Sequence, residues 1–152
     1  MAGDSSPIIY VGGKTEMEIR AIVTEDIPAY SLVALRGARG DDPDNIYLMK
    51  NKKDWIPDFY STKDLKEGDE ISVKIEGKPV WKVRLSKDTR PGTLISADDN
   101  GEASWTNTQE HKYFIGYSLE GGKAGDVIRY ARKTGVLSQV LDSGIEGLIH
   151  GD

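Results

Sequence analysis

The feature that most restricts this chain is a series of short apolar runs that alternate with polar residues and are rich in β-branched side chains. Period-two alternation places every second side chain on one face, the pattern of a strand half-buried against a core, and it does not fit the 3.6-residue period of a helix. The runs are Ile19 to Thr24, Ser31 to Leu35, Ile46 to Met49, Ile71 to Ile75, Val80 to Leu85, Thr93 to Ala97, Tyr113 to Leu119 and Val127 to Ala131. Eight short strands of this kind predict an all-β fold, a small antiparallel β-sandwich or β-barrel.

The connections carry turn chemistry. Glu76-Gly77-Lys78-Pro79 joins two alternating runs, and Asp99-Asn100-Gly101-Glu102 contains the Asn-Gly pair that tolerates positive φ in a type I′ turn. Both are read as hairpins, which implies antiparallel pairing. An internal echo runs through Ile19–Val33, Val83–Ile95 and Ile115–Ile128, with a shorter relative in Lys66-Glu67-Gly68-Asp69-Glu70-Ile71. In each copy a strand ends, a Pro or Gly step turns the chain at the rim, and adjacent apolar residues restart a strand. The spacings are unequal, so this is a repeated rim device and not a solenoid.

At 152 residues the chain fits one domain, since a core of this size buries roughly 70% of the unfolded surface. Its ends differ from its body. Residues 1–13 are read as a flexible arm in which Pro7, Ile8, Ile9, Tyr10 and Val11 form a strand-like patch before Gly12-Gly13, able to pair away from its own core. Residues 14–133 form the β head, and residues 134–152 a tail with a short helical piece from about Gly135 to Ser143.

Composition narrows the function. Cysteine is absent, so disulfides, thiolate metal sites and cysteine nucleophiles are excluded. No apolar run approaches the roughly 20 residues needed to cross a bilayer, and the first residues lack the basic and apolar regions of a secretion signal, so no membrane partner is expected. A net charge of -5 repels a polyphosphate, and the one basic run, Lys50-Asn51-Lys52-Lys53, reads as a solvated loop, so no nucleic acid is expected either.

Site chemistry is sparse. Of the two histidines, His150 lies near the end of the chain and His111 in a polar stretch that reads as a surface loop. Asp98–Glu102 and Asp41–Asn45 are acidic but lack the ligand spacing of a calcium loop. Gly121–Gly125 lacks both the P-loop spacing and a following helix. No cofactor, metal or catalytic residue is nominated. Among the tryptophans, Trp81 and Trp105 sit beside strand or hairpin patterns and read as packing residues. Trp55, Ile56, Phe59 and Tyr60 instead crowd into a loop without strand alternation, and read as an outward-facing partner-binding patch.

From Ile19 to Arg132 the succession of features resembles the head decoration, or cement, proteins of tailed phages. The similarity lies in Ile27-Pro28-Ala29-Tyr30-Ser31-Leu32-Val33-Ala34-Leu35, Lys66-Glu67-Gly68-Asp69, Arg90-Pro91-Gly92-Thr93-Leu94-Ile95 with its Asn-Gly hairpin, and Ile115–Leu119 leading to Ala124-Gly125-Asp126-Val127-Ile128. The stretch from Lys50 to Lys63 and the tail beyond Lys133 exceed that compact pattern. The resemblance implies a non-enzymatic virion protein, made in the host cytoplasm, that sits on the capsid exterior. It would bind the major capsid protein shell and stabilise it, commonly as a homotrimer. A carbohydrate-binding β module for host-surface attachment is the main alternative, and a small hydrolase the other.

Overall fold

The computed structural model describes residues 8–11, 17–37, 44–75 and 78–137. These form eleven strands: β1 (Ile8–Val11), β2 (Met17–Val23), β3 (Leu32–Arg36), β4 (Tyr47–Lys50), β5 (Phe59–Tyr60), β6 (Glu70–Ile75), β7 (Val80–Arg84), β8 (Leu94–Ala97), β9 (Ala103–Trp105), β10 (Tyr113–Ser118) and β11 (Val127–Val136). The protein is all-β, as the alternation predicts. The first six strands close a barrel in the order β1-β5-β3-β4-β2-β6, and the other five form a sheet in the order β7-β11-β10-β8-β9.

The second half repeats β2–β6 of the first, strand for strand. β2 pairs antiparallel with β6 as β7 does with β11, and β3 with β4 and β5 as β8 does with β9 and β10. Even the parallel contact recurs: Val23 faces Leu48, and Leu85 faces Ala103. The bonds beside it match as well, with the Thr24 N–H donating to Leu48 O at 3.0 Å and the Ser86 N–H to Ala103 O at 2.9 Å.

The sequence echo is the cross-brace of each half. Four residues beyond Val23, Ser61, Leu85 and Ser118, each at a strand end or one residue past it, come Ile27, Leu65, Thr89 and Gly122, which pair as Ile27↔Leu65 and Thr89↔Gly122. Three residues later the backbone enters the left-handed region at Tyr30 (φ 62), Gly68 (φ 89), Gly92 (φ 72) and Gly125 (φ 92), a conformation glycine adopts without a Cβ penalty. Carboxylates tie the braces: Asp64 accepts the Ala29 N–H (2.8 Å), Asp26 the Glu67 N–H (2.9 Å) and Asp88 the Ala124 N–H (3.0 Å). At the fourth position Pro91 has no N–H to give, and there Gly121 stands where the other copies have aspartate, its missing Cβ 3.1 Å from the Pro91 ring.

Alternate side chains fill two main cores. Ala21, Val23, Val33, Leu48, Phe59, Leu65, Ile71 and Val73 fill the barrel. Trp81, Val83, Leu85, Ile95, Ile115, Ile128 and Tyr130 pack on the second sheet, joined by Leu32 and Tyr60 from the first half. Each fully buried side chain of this size contributes roughly 1.5–3 kcal/mol. The shared core, the Tyr60–Trp81 ring contact at 5.5 Å and the Arg84 N–H to Tyr30 O bond at 2.9 Å make the halves one body.

Several expectations change. The hairpin expected at Glu76-Gly77-Lys78-Pro79, where Glu76 and Gly77 lie outside the described residues, is replaced by two strands that do not pair, because β6 and β7 lie in different sheets. The Asn-Gly hairpin does form, with φ 65 at Asn100 and φ 74 at Gly101 between β8 and β9. Gly135 and Val136, expected to begin a helix, continue β11, and Leu137 packs with Leu94 and Phe114. Ser138 to Ser143 and the rest of the tail lie outside the described residues. The strands therefore run past the expected 14–133 body at both ends. Ile8–Val11 is built into this chain's own barrel, parallel to β6 from Ile8↔Ser72 to Val11↔Ile75 and meeting β5 at Tyr10↔Tyr60.

Candidate attachment surface

The residues expected to form a partner surface separate into three groups. Pro7 lies outside the described residues, and Ile8, Ile9, Tyr10 and Val11 form β1. Trp55 and Ile56 lie on the loop between β4 and β5. Phe59 and Tyr60 correct the sequence reading, because they form β5 against β3, with Leu32↔Tyr60 and Val33↔Phe59. Strand alternation sends Phe59 (2% exposed) into the barrel and Tyr60 (8%) onto Trp81. Two residues are too short a run for alternation to show in the sequence. The echo did not mark them either, because its shorter relative in this region begins only at Lys66.

A buried asparagine frames the loop. Asn51 is fully buried; its N–H donates to Leu32 O and its carbonyl accepts the Gly101 N–H, each at 2.9 Å. Its side-chain amide donates to Lys52 O at 3.2 Å and Trp55 O at 3.0 Å. The chain then turns through Asp54, at φ 65, whose carboxylate accepts the Lys112 N–H at 2.9 Å. Outside this frame Trp55 is half-buried beneath Arg36, whose guanidinium carbon lies 4.0 Å from the ring centroid, and Lys52 Nζ lies 5.4 Å from it. Ile56 is 42% exposed. Beside the loop an open polar cleft of ≈ 360 Å³, lined by Glu25, Lys50, Lys52, Asp99 and Asn100, lies where the halves meet.

His111 is not the surface histidine that its polar neighbours predict. It is 4% exposed, its Nε2 lies 2.7 Å from Asp98 Oδ1, and its Nδ1 accepts the Asn107 N–H at 2.9 Å. Because Nδ1 accepts, Nε2 carries the proton, an assignment made from these bonds. Ser86 Oγ donates to the other Asp98 oxygen. Burial pulls the Asp98 carboxyl upward, but hydrogen bonds from His111, Ser86 and Ser104 outweigh it and hold the group below its ordinary value. Aspartate stands in the middle, so the serine never meets the imidazole that would have to take its proton. The cluster pins the β8–β9 turn to the 107–111 turn.

Other candidate sites are likewise occupied by structural bonds. Asp99 accepts the Lys53 N–H at 3.2 Å, and Gly122 within Gly121–Gly125 forms the cross-brace. Among the described residues no group of three histidines or carboxylates is placed to hold a metal ion, and no helix is long and apolar enough to cross a membrane. Trp81 is 1% exposed, so it offers no face to a sugar ring.

A family profile described as head fiber protein matches residues 17–147. The head fiber protein of Bacillus phage Nf is 28% identical over 114 residues, which cover 75% of this chain and 42% of that protein. The capsid fiber protein of Bacillus phage B103 is 30% identical over 90 residues, 59% of this chain and 31% of that protein. The match thus spans less than half the length of these curated relatives. The crystal structure of the head fiber gp8.5 N base of bacteriophage phi29 superposes with a TM-score of 0.69 at 22% identity, covering 78% of this chain and 95% of that one, and so shares its fold.

Proposed function

This chain belongs to the head fiber protein family, and on that premise we propose that it is a non-enzymatic structural protein of the virion that binds the outer surface of an assembled phage shell, stabilises it, and does so as a trimer. The observation that carries this reading is the extent of the family match, residues 17–147, which takes in both halves of the body. The relatives' names, head fiber and capsid fiber, support a place on the capsid, with the major capsid protein as partner. The chemistry of the body supports it too, because its aspartates and its buried histidine serve turns and braces.

The N-terminal segment Pro7 to Val11 keeps a part in this reading. β1 meets β5 at a single residue pair and β6 along one edge, so the same strand from a neighbouring copy would fit the slot and link subunits. The test of the whole reading is to incubate the protein with expanded, undecorated shells of its source phage and sediment them. The protein should pellet with the shells, saturate at a fixed ratio and raise the temperature at which they disrupt. Protein that stays in the supernatant at all concentrations overturns the reading.

A further inference from the structure

We propose that Arg36, Lys52, Lys53, Trp55 and Ile56 form the docking surface, and that the occupant is a carboxylate-bearing protein face of the shell; this rests on the attachment reading above. The patch gathers three cationic side chains on a chain that carries -5 overall. Its cationic side chains stay free of the nearby carboxylates, which keep their charge but are turned onto backbone donors. Asp54 accepts the Lys112 N–H (2.9 Å), Asp58 the Leu35 N–H (2.8 Å) and Asp99 the Lys53 N–H (3.2 Å). Among the described residues Arg36, Lys52 and Lys53 form no ion pair, whereas Arg20, Lys50, Lys87 and Arg129 each pair with a glutamate. Three cations are left for a partner.

The geometry favours a protein partner over a polyphosphate. The guanidinium of Arg36 lies over the indole of Trp55, which holds its planar fork in place for a carboxylate. Beside it Ile56 offers apolar surface that gains energy only when a dry surface covers it. Arginine and tryptophan together are the residues in which binding energy most often concentrates at protein interfaces. Buried Asn51 fixes the loop beforehand, so little conformational freedom is lost on docking. A net negative body opposes nucleic acid.

The test compares shell binding by the wild type, by Arg36→Glu with Lys52→Glu, and by Trp55→Ala, with the melting temperature of each as the control for folding. Both variants should bind shells about tenfold or more weakly, and wild-type binding should weaken steeply with added salt. Lys53→Glu, a single change at an exposed side chain, checks the same surface should the double variant fold poorly. If the wild type binds shells and all folded variants bind equally well, the docking surface lies elsewhere while the attachment reading stands. If no form binds shells, both fall. If the variants lose binding to duplex DNA but keep their shell occupancy, the patch recognises phosphate and the proposal is overturned.

Discussion

In the second half of the molecule β10 runs six residues and pairs directly with β11, from Tyr113↔Val136 to Ser118↔Tyr130. Its counterpart β5 runs two residues, and β6 takes β1 as its neighbour instead. The two halves thus share strand order, parallel contact and cross-brace, and differ in how the last gap is closed. One fills it with its own longer strand, β10, and the other with a segment from the start of the chain. The difference shows that a barrel is specified by its backbone donors and acceptors as much as by its apolar pattern, because an open strand edge must find a partner from somewhere. The half that takes up β1 is also the one that carries the loop with Trp55 and Ile56.

The largest expected effect comes from removing residues 1–13. At about 1 kcal/mol net for each lost ladder bond, the truncated protein should lose about 2–4 kcal/mol. Hydrogen exchange at Ser72 and Val73 of β6 should accelerate while Ile128 and Tyr130 of β11 stay protected. Equal acceleration in both strands would show that the halves do not differ in this way.

A smaller effect should follow Gly135→Ala. Phe114 lies across Gly135, with ring carbons 2.3 and 2.4 Å from where a Cβ would stand, and overpacking of this kind costs about 1–3 kcal/mol. Thermal unfolding measures it, and an unchanged melting temperature would mean that the β10–β11 seam is looser than its pairing indicates.

The smallest effect concerns acid. Asp98 is held below its ordinary value of 3.8 in the folded protein, so its contribution is complete above that unfolded value and is lost as pH falls through the lower folded one. The wild type should therefore lose stability on acidification below about pH 4 more steeply than Asp98→Asn, which has no such carboxylate to protonate. Parallel acid limbs for the two proteins would remove Asp98 from the account.

Most of the strand pattern was legible because Ile19 to Thr24, Val80 to Leu85 and their like bury one face and expose the other. The echo was legible as well, but its meaning was not: the unequal spacings hide a duplication in which Ile27↔Leu65 and Thr89↔Gly122 are equivalent pairs. What failed were features fixed by distant partners. Phe59 and Tyr60 look like a loop until β3 is beside them, and His111 looks solvated until Asp98 and the Asn107 N–H reach it. Ile8 to Val11 carries the right composition for a strand, but only the short reach of β5 says where that strand belongs. For the proposed attachment surface, Trp55 and Ile56 were visible as residues out of pattern. Arg36, nineteen positions before Trp55 in the chain, joins them only through the fold.

The most direct test of the account is to image source-phage shells saturated with the protein. The predicted result is added density on the outside of the shell in clusters of three copies, each with the loop of Trp55 and Ile56 turned toward the shell. Shells without added density, or with the protein bound only at their inner surface, would contradict it.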